Sequence, residues 1–144
     1  MDSDKKELLK KRIAELYSYI ASKLNLTKKP KIVLTEDEEN ARKEFGLTAY
    51  FNPQDYSIRL YITSRMNGEI LRSLAHELVH LWQRENGTLT DNEDASPHYA
   101  QTNLNLRKRE LEAFCLGGIL FRDFQDEKRY GKLDKDPILP KAFK

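Results

Sequence analysis

Two histidines stand four residues apart in this chain, with a glutamate directly after the first: His76-Glu77-Leu78-Val79-His80. On a helix that spacing stacks the two imidazoles on one face. Neutral imidazole is a zinc ligand, so the pair can hold one ion. The intervening glutamate would then lie beside a metal-bound water and could take its proton. The bland alternative is two polar residues on the solvated side of an amphipathic helix. Against it, the chain has three histidines; two fall at metal spacing, with an acid at the one position hydrolysis needs.

A catalytic zinc takes three protein ligands and a water, whose pKa it lowers to about 7. The third ligand must come from downstream, where His98, Glu110 and Glu112 are the candidates. On a helix, Glu110 shares its face with Ala113, Phe114, Gly117 and Phe121, a stripe whose small residues admit a neighbouring helix. Glu112 shares its face with Leu116, Ile119 and Asp123, toward the solvated side. Glu110 is therefore the expected ligand. His98 comes next, in a polar segment where a ligand is held less rigidly, and Glu112 is the remaining alternative.

These residues require two helices to carry them. At about 100° per residue, Ile70, Leu71, Leu74, Leu78, Leu81 and Trp82 gather on one side of a helix, with His76, His80 and Gln83 opposite, facing a cleft. Asn67 is a candidate N-cap and Gly87 a C-terminal stop. Residues 104–124, or slightly beyond, form the second helix, with Leu111, Phe114, Cys115, Leu120 and Phe124 as its apolar positions. Gly117-Gly118 weakens that helix intrinsically, which is most simply explained by close approach of a neighbour.

Upstream, residues 3–24 carry apolar residues at helical spacing and make a covering helix capped by Asp2 or Ser3. Residues 31–35 read as a strand and residues 36–45 as polar chain with one short helix. Residues 47–51 and 57–62 flank a Pro- and Asp-containing turn, so a β-hairpin is expected. The expected fold is α+β: a small sheet of three or slightly more strands packed on the two site-bearing helices, with the N-terminal helix across them. One domain accounts for all 144 residues, as a helix over 1–28, a core over 31–126 and a tail over 131–144.

Charged residues make up 33% of the chain but the formal net charge is only +2, so no polyanionic partner is demanded. Lys5, Lys6, Lys10, Lys11 and Arg12 could suggest nucleic acid, but Glu7 and Glu15 interrupt the patch. Cys115 stands alone, excludes an internal disulfide, and is expected in the core. No signal-peptide segment and no run of ~20 apolar residues is present. The expectation is a cytoplasmic monomer acting on a peptide or protein, away from membranes.

His76-Glu77-x-x-His80 followed by Glu110-Leu111-Glu112-Ala113 resembles the gluzincin metallopeptidases, which pair H-E-x-x-H with E-x-x-A on a later helix. The compact size is closest to minigluzincins and ImmA/IrrE-type metallopeptidases. The resemblance, over about residues 45–125, implies a zincin-like fold. It also implies zinc held by His76, His80 and Glu110, with Glu77 as general base in peptide hydrolysis, more as endopeptidase than exopeptidase. By the same resemblance the segment Ser57, Ile58, Arg59, Leu60 and Tyr61 is the edge strand that pairs with substrate. Tyr99, Tyr130 and His98 are the candidates for stabilising an oxyanion. Many gluzincins carry an aspartate after the alanine, where this chain has Phe114. That departure leaves a latent or non-catalytic zincin-fold regulator as an alternative, with Pro137-Ile138-Leu139-Pro140 folding across the cleft. His80-Leu81-Trp82-Gln83 is also similar to SprT-like, DNA-associated proteases, in which a downstream histidine such as His98 would complete the site.

Overall fold

The computed structural model describes residues 2–44, 46–89 and 104–130. They form α1 (Ser3–Leu24), β1 (Lys31–Thr35), α2 (Glu38–Arg42), β2 (Ala49–Asn52), β3 (Ser57–Tyr61), α3 (Asn67–Glu85) and α4 (Leu104–Tyr130). Among the described residues the architecture is α+β, four helices and one small mixed sheet. No helix among the described residues is long and apolar enough to cross a membrane.

The sheet order is β1-β3-β2. β3 pairs in parallel with β1 and antiparallel with β2. Residues 57–61 are thus the centre of the sheet, which corrects the expectation of an edge strand there. Both sides of β3 already hold ladder hydrogen bonds, so it cannot accept a further strand. Alternation along the strands turns Ile58, Leu60, Ile32, Leu34, Ala49 and Phe51 toward the helices, and all six belong to or pack on the core. Their opposite neighbours Arg59, Tyr50 and Tyr61 lie on the other face, where the two tyrosine rings meet at 6.4 Å.

α1 begins at Asp2, whose carboxylate accepts hydrogen bonds from the amides of Asp4 and Lys5, satisfying N–H groups that a helix leaves open. Leu9, Ile13, Leu16 and Ile20 bury its inner stripe. α2 is a single short turn, but its buried Asn40 fixes the start of β2. The Asn40 side-chain amide donates to the Leu47 carbonyl, and its oxygen accepts from the Leu47 amide, both at 2.8 Å. Gly46 is required beside it, since a Cβ there would lie 2.2 Å from the Asn40 carbonyl oxygen.

α3 is the central helix. It starts with Met66 rather than Asn67 in the cap position, without a side-chain cap bond, and Gly87 follows its end at φ 77°. It is buried almost all round: Ile70, Leu71, Leu74, Leu78 and Leu81 face the core, while Ala75, Val79, His80 and Gln83 are also covered. The expected open histidine side is therefore roofed, because α4 packs along it.

α4 presents Leu106, Ala113, Gly117, Leu120, Phe121 and Phe124 inward. Leu111, Phe114 and Cys115 are exposed, against the expectation that Cys115 lies in the core. Their rotational setting loses because the face with Ala113 and Gly117 lets the two helix backbones approach. A Cβ on Gly117 would lie 3.2 Å from the His76 amide nitrogen. α4 is thereby held against the helical turn that carries the histidines.

Candidate metal centre

His76 and His80 project from α3 in successive turns, and Glu110 reaches them from α4. The Nε2 atoms of the two histidines are 3.2 Å apart. One Glu110 oxygen is 2.7 Å from His80 Nε2 and the other 3.3 Å from His76 Nε2. Two atoms each about 2.1 Å from a tetrahedral zinc lie about 3.4 Å apart. The three side chains thus converge at nearly the spacing that one ion would impose, and they are a set that could hold a metal.

Gln83, wholly buried, sets the orientation of His80. Its amide nitrogen donates to the Arg109 carbonyl and to a Glu112 carboxylate oxygen, each at 2.9 Å. With the nitrogen so committed, its oxygen accepts from His80 Nδ1–H at 2.7 Å. His80 Nδ1 therefore carries a proton, and Nε2 is the atom available to a metal. Gln83 lay on the histidine face in the sequence, one turn from His80, but its partners become apparent only once α4 is docked. Glu112 stands outside this cluster. It is held by Gln83 and by the Arg109 guanidinium at 3.3 Å, with its side chain still about a third exposed.

Charge in the centre follows from these contacts. His76 and His80 hydrogen-bond to Glu110 and hold its carboxyl well below the usual carboxylate range, against the opposing effect of burial. Burial pulls His80 down, but its hydrogen bond to Glu110 and the charges of Glu77 and Glu110 outweigh it, so its pKa is raised. Glu77 is pushed up by burial and by Glu110, with His80, His76 and Arg84 pulling the other way.

Glu77, His80, Arg84 and Glu110 line one cleft together with Leu47, Tyr50 and Phe51 from the β2 side and Leu106 from α4. The Arg84 guanidinium lies 5.1 Å from the Phe51 ring centre. The cleft thus runs between α3 and β2. Among the described residues β2 bonds to β3 on one side only. The Tyr61 amide donates to the Thr48 carbonyl, so by antiparallel alternation Thr48, Tyr50 and Asn52 bond inward and the peptide groups of Ala49 and Phe51 face outward.

His98, Tyr99 and residues 137–140 lie outside the described residues. Tyr130 ends α4, twenty residues beyond Glu110, or about 30 Å along the helix axis. It cannot reach the centre, which removes it as an oxyanion donor. Comparison of the chain with protein-family models, with curated proteins and with solved structures finds no match.

Proposed function

We propose that this chain is a zinc-dependent peptidase that cleaves extended peptide segments internally, with His76, His80 and Glu110 as metal ligands. The observation that carries this reading is the convergence of those three side chains at metal spacing, with Glu77 in the same cleft. Bound zinc would supply a Lewis acid for the scissile carbonyl and make water acidic enough to deprotonate near neutrality. Glu77 takes the proton of the attacking water and passes it to the leaving amine; its raised pKa suits a group that must both accept and return a proton. Gln83 holds His80 in the required tautomer, the task for which no aspartate is present at position 114. An extended substrate pairs with the outward peptide groups of Ala49 and Phe51, which places its backbone along the cleft.

The test is metal analysis of protein purified with zinc supplied, paired with cleavage of a quenched-fluorescent peptide library. Wild type and Glu77→Gln should each retain about one zinc per chain, and only wild type should cleave. A chain that binds no zinc under these conditions removes the reading.

A further inference from the structure

A second groove lies at the opposite edge of the sheet. α1 packs on α3 and α4 but not on β1, and the gap between α1 and β1 is a groove of about 700 Å³. Its floor is apolar: Ile13 and Tyr17 from α1, Ile32 and Leu34 from β1. Among the described residues β1 bonds to β3 on one side only. The Lys31 amide donates to the Tyr56 carbonyl and the Thr35 carbonyl accepts from the Ile62 amide. By parallel alternation Lys31, Val33 and Thr35 bond inward, and the peptide groups of Ile32 and Leu34 point outward along this free edge.

Four lysines surround the groove: Lys6 and Lys10 on the α1 side, Lys29 and Lys31 on the β1 side. Two have acidic neighbours, Glu36 at 3.9 Å from Lys6 and Glu7 at 3.4 Å from Lys10. Those are surface pairs of the kind that contribute little and exchange readily. Lysines that only guard an edge sit on the strand itself, whereas here Lys31 alone does. The others face it from a helix and a connection, across an apolar floor.

We propose that this groove binds an acidic peptide segment in extended conformation, added as a fourth strand along β1. Five residues of β1 span about 17 Å, enough for a segment of similar length. Alternate apolar side chains of the segment fill the floor over Ile13 and Ile32, and its carboxylates meet the lysines on both rims. The basic α1 surface is thus one wall of a peptide site. Nucleic acid is disfavoured, because among the described residues Tyr17 is the one aromatic ring on the floor and base stacking wants several. The proposal is independent of the metal centre, which lies at the β2 edge of the sheet, away from β1.

The probe is a fluorescent eight-residue peptide of alternating valine and glutamate, titrated with the full chain and read by anisotropy. Saturable binding is expected, weakened at least tenfold by the double substitution Lys29→Glu and Lys31→Glu and weakened by salt. Alternate N-methylation of the probe backbone should abolish it. Three results would overturn the proposal: equal binding of a valine–serine probe, no effect of the lysine reversals, or preferential binding of a single-stranded oligonucleotide at the same lysines. Because Lys29 and Lys31 are exposed, circular dichroism of the double variant should match wild type.

Discussion

His80 Nδ1 lies 2.7 Å from the buried oxygen of Gln83, and Gln83 in turn bonds to the Arg109 carbonyl and to Glu112. One residue of α3 therefore ties the orientation of a proposed metal ligand to the position of α4, the helix that brings Glu110. The centre and the helix packing are one structural unit. Replacing Gln83 with Leu should lower zinc affinity about 10–100-fold, the usual cost of losing such a partner. It should also destabilise the fold by about 2–3 kcal/mol, since buried polar partners are left unmatched. Gln83→Glu, which still accepts from Nδ1–H, should recover most of the metal affinity. Competition titration with a zinc chelator reads the first effect and denaturant unfolding the second.

The metal-free centre makes a pH prediction with a definite sign. His80 has its pKa raised above the ordinary 6.5, so its contribution is complete below that value and is lost as pH rises through the raised one. Glu110 has its pKa lowered from 4.5, so its contribution is present above 4.5 and is lost as pH falls below it. The chelated protein should gain most from this pair between about pH 5 and 6.5. Zinc must displace the His80 proton, so its effect should run the other way and grow with pH. At a hundredfold excess over Kd it should add about 2.7 kcal/mol, an upward Tm shift of roughly 8–10 °C for a chain of this size. Thermal scans at pH 5.5 and pH 8, with and without zinc, check this. A zinc shift that is equal at both pH values would be incompatible with His80 as ligand.

Much of this arrangement was legible from the residues alone. The period of apolar positions places α1 and α3, Asp2 caps the first helix, and the Pro-Asp turn marks the hairpin. Strand order was not legible. Residues 31–35 lie beside residues 57–61 through a parallel pairing that no local pattern encodes, and this pairing puts β3 inside the sheet and leaves β2 at its edge. The face of α4 was legible in part. The stripe with Ala113 and Gly117 meets α3 as its small residues imply, whereas Cys115, an apolar residue expected in the core, lies exposed. The same docking turns Glu112 toward Gln83, a relation invisible in either helix separately.

The two adjacent glycines of α4 should respond oppositely to substitution. Gly118 has nothing within 4 Å of a would-be Cβ, so Gly118→Ala should stabilise by about 0.8–1 kcal/mol through helix propensity. At Gly117 the same Cβ would meet the His76 amide nitrogen at 3.2 Å and the Ala75 carbonyl carbon at 3.3 Å. Backbone cannot swing aside as a side chain can. Gly117→Ala should therefore forfeit that gain, and Gly117→Val should destabilise by about 1–3 kcal/mol, as overpacking does. It should weaken zinc binding as well, by moving Glu110 away from the histidines. Equal stabilisation by both alanines would show that α3 and α4 are not in close contact.

The free edge of β2 offers a test of where substrate lies. The amide of Ala49 points away from β3, so Ala49→Pro removes one outward donor while leaving the β2–β3 ladder its bonds. Tyr50→Pro removes an inward donor from the same strand and should cost stability, about 3 kcal/mol if proline behaves as it does elsewhere in regular structure. Ala49 is half-buried and packs on the core, so proline there should alter unfolding only modestly. If peptides are cleaved while paired along this edge, Ala49→Pro should lower kcat/KM by at least tenfold, about 1.4 kcal/mol of lost transition-state binding. Zinc content should be unchanged, because no ligand lies on β2. Full activity in a folded, zinc-loaded Ala49→Pro protein would place the substrate backbone elsewhere in the cleft, nearer Leu106 on the α4 side.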